Sequence, residues 1–279
     1  MKFFFIFFIL GFTGVAQTPE NLLTENLNNL IESKIKWNSV SRNDFSPAEK
    51  KIIVSFIKDP ANSFCTDFLI DGDFLPDFHL IDLDGDKDLD VIYEGYQCPG
   101  YSFKQILIYM NKGNAYQNVL NTVGRFVSLN QASDLTIYRY PCCSMIENTM
   151  INYRIKQDSL IENFGLNFFY SAALSVFSKD YDLIIPKKLK AGNKYAVKAN
   201  TGMNYVPKDS LESPMFIKQS LAGFINAEVI VTSYASVTDK KGIQWFYCKV
   251  PNGVIVLNNN NAFEYPLMIW IKQRDCINP

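Results

Sequence analysis

The sequence predicts a mainly β protein with helices at its N-terminal end, an α+β chain. An antiparallel β-sheet domain carrying one acidic loop comes first and a small β-barrel follows. Three observations carry this reading. Helical spacing of apolar residues is confined to the stretches before Cys65. From there on, short runs rich in Ile, Val, Tyr and Phe recur about every ten residues between Asn, Gly and Asp turns. Five aspartates alternate with other residues between positions 82 and 90, flanked by strand-like runs on both sides.

Met1-Lys2 gives a short positive start, and residues 3–12 form an almost unbroken apolar run with six phenylalanines. Gly14-Val15-Ala16 then supplies the small residues a signal peptidase reads, which makes 1–16 an expected export signal and Gln17 the first mature residue. Ten apolar residues span about 15 Å as a helix, half of a bilayer's hydrocarbon core, so the run is too short for a good membrane span. No later stretch approaches eighteen apolar residues, and no transmembrane segment is expected in the mature chain. The expected location is exported: periplasmic, cell-surface or extracellular.

Thr18-Pro19-Glu20 opens a predicted helix to Lys36, with Leu22, Leu23, Leu27, Leu30 and Ile31 at helical spacing. A second helix opens at Ser46-Pro47-Ala48-Glu49, with Ser46 as N-cap and a face of Ile52, Ile53, Phe56 and Ile57. Strands are predicted at Phe78–Ile81, Val91–Tyr96, Gln105–Met110, Arg125–Leu129, Leu135–Arg139, Met150–Ile155 and Leu166–Phe177, with a hairpin turn at Asn111-Lys112-Gly113-Asn114. The proline and lysines of Ile184–Lys194 mark the best boundary. The expected domains are therefore 17–186 and 187–279, the second β-like throughout, with a four-asparagine loop at Asn258–Asn261.

The most specific signal is Asp82-Leu83-Asp84-Gly85-Asp86-Lys87-Asp88-Leu89-Asp90. Calcium is a hard cation that takes six to eight oxygens at roughly 2.3–2.6 Å, and short carboxylates at alternating positions supply them if the chain coils around the ion. Gly85 tolerates the sharp bend. Helix–loop–helix sites fit poorly, because Lys87 stands where they need glycine and Tyr93 where they need glutamate. Over about Phe78 to Gln97 the chain resembles the calcium loop of FG-GAP/VCBS-type repeats, whose Asp-x-Asp-Gly-Asp-x-x-x-Asp pattern is met by Asp82, Asp84, Gly85, Asp86 and Asp90. The resemblance implies side-chain ligation by Asp82, Asp84, Asp86 and Asp90, and ligation by Asp88 through its backbone carbonyl. A single loop, where a propeller would carry several, points to one loop grafted on an antiparallel sheet.

Residues 194–277 resemble bacterial Src-homology-three-type domains, five-stranded barrels found on exported proteins. The match is carried by Gln244-Trp245-Phe246-Tyr247-Cys248-Lys249-Val250 and Ile269-Trp270-Ile271-Lys272. It departs from the pattern at Tyr205-Val206-Pro207-Lys208 and at Ile269. Members often bind peptidoglycan peptides or protein segments in an aromatic groove, which implies Tyr205, Trp245, Tyr247 and Trp270 as ligand-binding residues. The six cysteines, an even number in an exported chain, read as structural disulfides. With the domain split above, Cys248 pairs with Cys276, and three connectivities remain for Cys65, Cys98, Cys142 and Cys143.

Function classes narrow accordingly. A net charge of −1 gives no global field for nucleic acid, and one histidine, His79, excludes multi-histidine metal chemistry. No nucleophile elbow, zinc helix or phosphate loop is present. The expectation is an exported, non-catalytic, calcium-stabilised binding protein whose barrel engages peptidoglycan or a protein. A secreted hydrolase, or an inhibitor of another protein, is the alternative.

Overall fold

The computed structural model describes residues 35, 45–58, 77–96, 104–113, 115–130, 132–139, 147–169, 185–186, 188–207, 221–257 and 263–279. The expected export signal, nearly all of the first predicted helix, Cys65, Cys98, Cys142, Cys143 and Asn258–Asn261 lie outside the described residues.

Helix α1 is Pro47–Lys58. It begins at a reciprocal capping box, in which Ser46 Oγ accepts the Glu49 N–H at 3.3 Å and a Glu49 carboxylate oxygen accepts the Ser46 N–H at 2.7 Å. Strands β1 (Phe78–Ile81), β2 (Asp90–Gly95), β3 (Gln105–Asn111) and β4 (Tyr116–Val123) form a four-stranded antiparallel meander in that order. A second meander follows: β5 (Arg125–Asn130), β6 (Asp134–Arg139), β7 (Glu147–Lys156) and β8 (Ser159–Phe169).

The first sheet is buried on both faces. Phe78, Leu80, Val91, Tyr93, Leu107 and Tyr109 pack under Ile53, Phe56 and Ile57 of α1. Their neighbours Ile81, Ile92, Ile106, Ile108 and Met110 pack against Phe126, Leu135 and Ile137 of the second meander. Period-two alternation makes this possible, because each strand sends successive side chains to opposite faces. Burying each α1 side chain contributes about 1.5–3 kcal/mol, and Phe56 meets Tyr109 edge-on at 4.2 Å.

The C-terminal part contributes β9 (Lys194–Val197), β10 (Gly202–Asn204), β11 (Leu221–Ile225), β12 (Val229–Thr238), β13 (Gln244–Val250), β14 (Ile255–Leu257), β15 (Leu267–Lys272) and β16 (Cys276–Ile277). Ladders run β16-β9-β12-β13-β15 and continue through a parallel β15–β8 pair into the second meander; with β10, β11 and β14, which branch from β15, they make one twelve-stranded sheet. Among the described residues the expected barrel is not closed by hydrogen bonds. β15 and β16 are joined by the 3-10 turn Gln273–Asp275 and are not paired to each other. The described chain is mainly β, as expected, but the sheets are antiparallel and mixed.

Sheet and core both cross the expected boundary at residue 187. Met150, Leu166 and Phe168 share a buried cluster with Val197, Trp245 and Trp270. At the junction Asn167 Nδ2 donates to Tyr265 O at 2.8 Å, the Asn167 N–H donates to Pro266 O at 2.8 Å, and Arg139 pairs with Glu264 at 3.2 Å. Tyr265 lies directly over Gly165, where an added Cβ would sit 2.3 Å from the Tyr265 ring. Glycine is required there for close approach. Gly165→Ala is expected to lower stability by about 1–3 kcal/mol through overpacking. Adding Tyr265→Leu should recover part of that loss, because the two sites share one contact. Denaturant unfolding of the single and double variants measures both.

Candidate metal centre

The acidic loop is the connection between β1 and β2, at the end of the doubly buried sheet. Its conformation is set by aspartates that accept nearby backbone N–H groups. Asp82 accepts from Gly85 at 2.8 Å and from Lys87 at 3.1 Å; Asp84 accepts from Asp86 at 3.3 Å, and Asp86 from Asp88 at 3.0 Å. These short side-chain turns coil the chain. Gly85 takes φ +87°, the left-handed conformation that glycine adopts without penalty, and Lys87 takes φ +82°.

The coil brings carboxylate oxygens of Asp82, Asp84 and Asp86 within 4.8 Å of one another, with Asp82 and Asp84 half-buried and Asp86 exposed. Of the four aspartates expected to ligate through side chains, three therefore converge; Asp88 is expected to ligate through its backbone carbonyl. Asp90 is turned inward and used structurally: its two oxygens accept the Leu83 N–H at 2.9 Å and the Asn111 N–H at 2.8 Å. It is 1% exposed and ties the loop to the β3–β4 hairpin. Asp88 leans on Asp86, and its Oδ1 is shielded from solvent without a hydrogen-bond partner. A further anchor reaches across the sheets, where the Ala132 N–H donates to Leu83 O at 2.8 Å.

The electrostatics follow from this crowding. Burial holds the Asp84 carboxyl above its usual range; the Asp86 N–H offsets part of that rise, and the charges of Asp86 and Asp82 add to it. Asp88 is raised by burial, by its hydrogen bond to Asp86 and by its anionic neighbours. Burial pushes Asp90 up to about 6, against the two N–H groups it accepts. Three converging carboxylates form a hard, all-oxygen donor set, the chemistry a hard divalent cation selects over softer metals.

The second group of expected site residues is placed differently. Trp245, Tyr247 and Trp270 are 0%, 1% and 2% exposed. They are core residues, which corrects the expectation that they line a groove. Trp245 Nε1 donates to Asp239 at 3.2 Å beneath the β12–β13 turn, and Tyr247 packs on Trp270 with ring centroids 5.0 Å apart. Only Tyr205 of the four keeps partial exposure, and its ring meets Phe169 edge-on at 4.5 Å. Cys248 and Cys276 are brought together as expected, but as free, hydrogen-bonded thiols instead of a disulfide.

His79, the one histidine, is 3% exposed. It stands in register with Ile92, on the face that packs against the second meander. A groove of about 630 Å³ between α1 and the β3–β4 hairpin is lined by Lys51, Ile52, Phe56, Tyr109 and Tyr116, with no carboxylate among its described lining residues. A hydrolase pocket with paired acids is not found there. Family models, curated proteins and solved structures give no match to the chain.

Burial, and then the charge of Lys104, holds the His79 imidazole down at about 4, against 6.5 for a free histidine. The unfolded chain takes up this proton near pH 6.5 and the folded chain only near pH 4. Stability from this group is thus complete above pH 6.5 and is lost as pH falls towards 4, by up to about 3 kcal/mol. Asp90 works in the opposite direction, because its raised folded-state value favours the folded form as pH falls. His79→Gln compared with wild type isolates the histidine. Urea unfolding from pH 7 to pH 4 should show the difference in stability shifting towards the variant, and parallel curves would refute the assignment.

Proposed function

We propose that this chain is an exported, non-catalytic binding protein whose first sheet is stabilised by calcium. The convergence of Asp82, Asp84 and Asp86 within 4.8 Å at the β1–β2 tip carries the reading. The three side chains would supply three ligand oxygens, one each, with backbone carbonyls and water completing the six to eight that calcium takes. Calcium here is a fixture that offsets carboxylate repulsion, with an affinity in the roughly 0.1–1 mM range of extracellular modules. The loop's place between two strands supports the FG-GAP/VCBS-type resemblance. The five strands β9, β12, β13, β15 and β16 support the Src-homology-three-type one.

A peptidoglycan peptide or protein ligand remains the proposed partner of the C-terminal unit, but by a different surface from the buried aromatics. Ile230, Ala196 and Ile277 stand in one register row across β12, β9 and β16, and the two isoleucines are 47% and 45% exposed. The next row on that face carries Lys194 and Lys249. Over residues 185–279 Lys and Arg number twelve against six Asp and Glu, so an acidic ligand with apolar side chains suits this face.

Calcium at 10 mM should stabilise the protein over chelator by about 1.4–2.7 kcal/mol, which raises the melting temperature by several degrees. The double variant Asp84→Asn, Asp86→Asn keeps the acceptor oxygens that shape the loop. It should melt higher than wild type in chelator, because repulsion is relieved, and should show no calcium shift. Equal melting of wild type in chelator and in calcium would overturn the metal assignment. Separately, co-sedimentation of the full chain with purified peptidoglycan sacculi should fall at least severalfold in Ile230→Asp. Trp245→Ala, by contrast, should cost about 3–5 kcal/mol of folding stability as a core deletion.

A further inference from the structure

Cys248 and Cys276 occupy one inner face of the C-terminal unit. Cys276 of β16 is in register with Val197 of β9, and Cys248 of β13 with Ser233 and Ile269. Their side chains are hydrogen-bonded, and both are free thiols. The two surroundings are unlike. Cys248 is fully buried beneath the sheet, whereas Cys276 is half-buried on a two-residue strand next to the exposed Ile277. The contact also splits their acidity. The hydrogen bond from Cys248 holds the Cys276 thiol below its ordinary value, while that same bond, burial and the charge on Cys276 push Cys248 well above its own.

We propose that Cys276 and Cys248 form a thiol–disulfide exchange site, with Cys276 the attacking sulfur, Cys248 the resolving sulfur, and a small or protein disulfide the co-substrate. The Cys276 thiolate attacks one sulfur of the incoming disulfide; a new S–S bond forms, the old one breaks, and the first thiolate leaves. Cys248 then gives up its proton and attacks Cys276 Sγ, expelling the second thiolate. The protein dithiol is oxidised by two electrons and the co-substrate is reduced to two thiols. Direction follows from access: the thiolate is the nucleophile, and only Cys276 presents one towards solvent. The product ties β16 to β13, across the point where the ladder path is left open. β16 otherwise rests on two register pairs with β9, so the exchange turns the weakest end of the path into a covalently closed loop of roughly 30 residues. This inference is independent of the calcium loop.

The test uses the full chain, reduced, freed of reductant, exposed to oxidised glutathione and quenched with N-ethylmaleimide over time. Trypsin places Cys248 in the peptide Gly242–Lys249 and Cys276 in Asp275–Pro279, so mass spectrometry reads each sulfur apart from the other four cysteines. Wild type should pass through a glutathione adduct on Asp275–Pro279 and end with the two peptides cross-linked. Cys248→Ala should stop at the Cys276 adduct, and Cys276→Ala should leave Cys248 at least about tenfold slower to react than Cys276 in wild type. The oxidised protein should melt several degrees higher than the reduced one. Cys248 reacting first or equally fast would overturn the proposal, as would both peptides staying unmodified in the native protein while a guanidinium-unfolded control reacts. The wild-type time course decides the order even if a variant fails to fold.

Discussion

Burial of the first sheet on both faces is the constraint from which the rest of the N-terminal half follows. Phe78, Leu80, Val91 and Tyr93 are committed to α1, and Ile81 and Ile92 to the second meander, so β1 and β2 can neither slip nor tilt without exposing one set. Their register, Phe78 opposite Tyr93 through Ile81 opposite Asp90, therefore fixes where the connection begins and ends. Both faces are mainly apolar, with His79 a buried exception, and the aspartates collect at the tip, where the chain must reverse.

At that tip the backbone absorbs part of the charge. Each of Asp82, Asp84 and Asp86 accepts at least one main-chain N–H, and Asp90 accepts two. These bonds shape the loop, and they leave one carboxylate oxygen from each of the first three within 4.8 Å of the others. The anchors are apolar and main-chain: Leu83 is fully buried, its carbonyl held by Ala132 and its N–H by Asp90. Shape and charge are thus separable. A loop held by its backbone keeps its coil when a carboxylate becomes an amide, and this makes its electrostatics open to experiment.

Much of this was legible in the sequence, and the failures have physical reasons. The strands flanking the loop were read almost to the residue because alternation and β-branched content agree there. The capping box at Ser46 was visible as a pattern. β4 was missed because Tyr116-Gln117-Asn118-Val119-Leu120-Asn121-Thr122-Val123 is a half-exposed edge strand, with a bulge that breaks the period. The aromatics Trp245, Tyr247 and Trp270 were misplaced because a one-dimensional pattern cannot distinguish an exposed aromatic face from one that a further layer covers. Asp90 enters the ligand set through the FG-GAP/VCBS-type pattern, which does not say whether a side chain turns towards the loop's centre or back under it, where both Asp90 oxygens accept main-chain N–H groups. Gly165 had no signal of its own. Its role exists only because Tyr265, a hundred residues later, packs on it.

That last contact bears on how the two halves act together. A boundary drawn from lysines and a proline at 186–190 describes where the chain changes character, but the hydrogen bonds ignore it. β15 pairs with β8, Asn167 holds the main chain of Tyr265 and Pro266, and one buried cluster spans both parts. A strand shared in this way transmits changes of stability, because fraying β15 would expose Phe168 and Leu166 as well as Trp270. The acidic tip lies on the sheet that packs against one end of the strand path, and Cys276 lies on β16 at the other end. The first meander, holding the tip, packs on β5 and β6, and these connect through β7 and β8 to β15 and the strands that carry the cysteines. Stabilising either end raises the cost of opening the part it belongs to. Because the joining ladder is short, two register pairs between β15 and β8, the shared buried cluster, the Asn167 hydrogen bonds and the packing of Tyr265 on Gly165 carry the rest of that coupling.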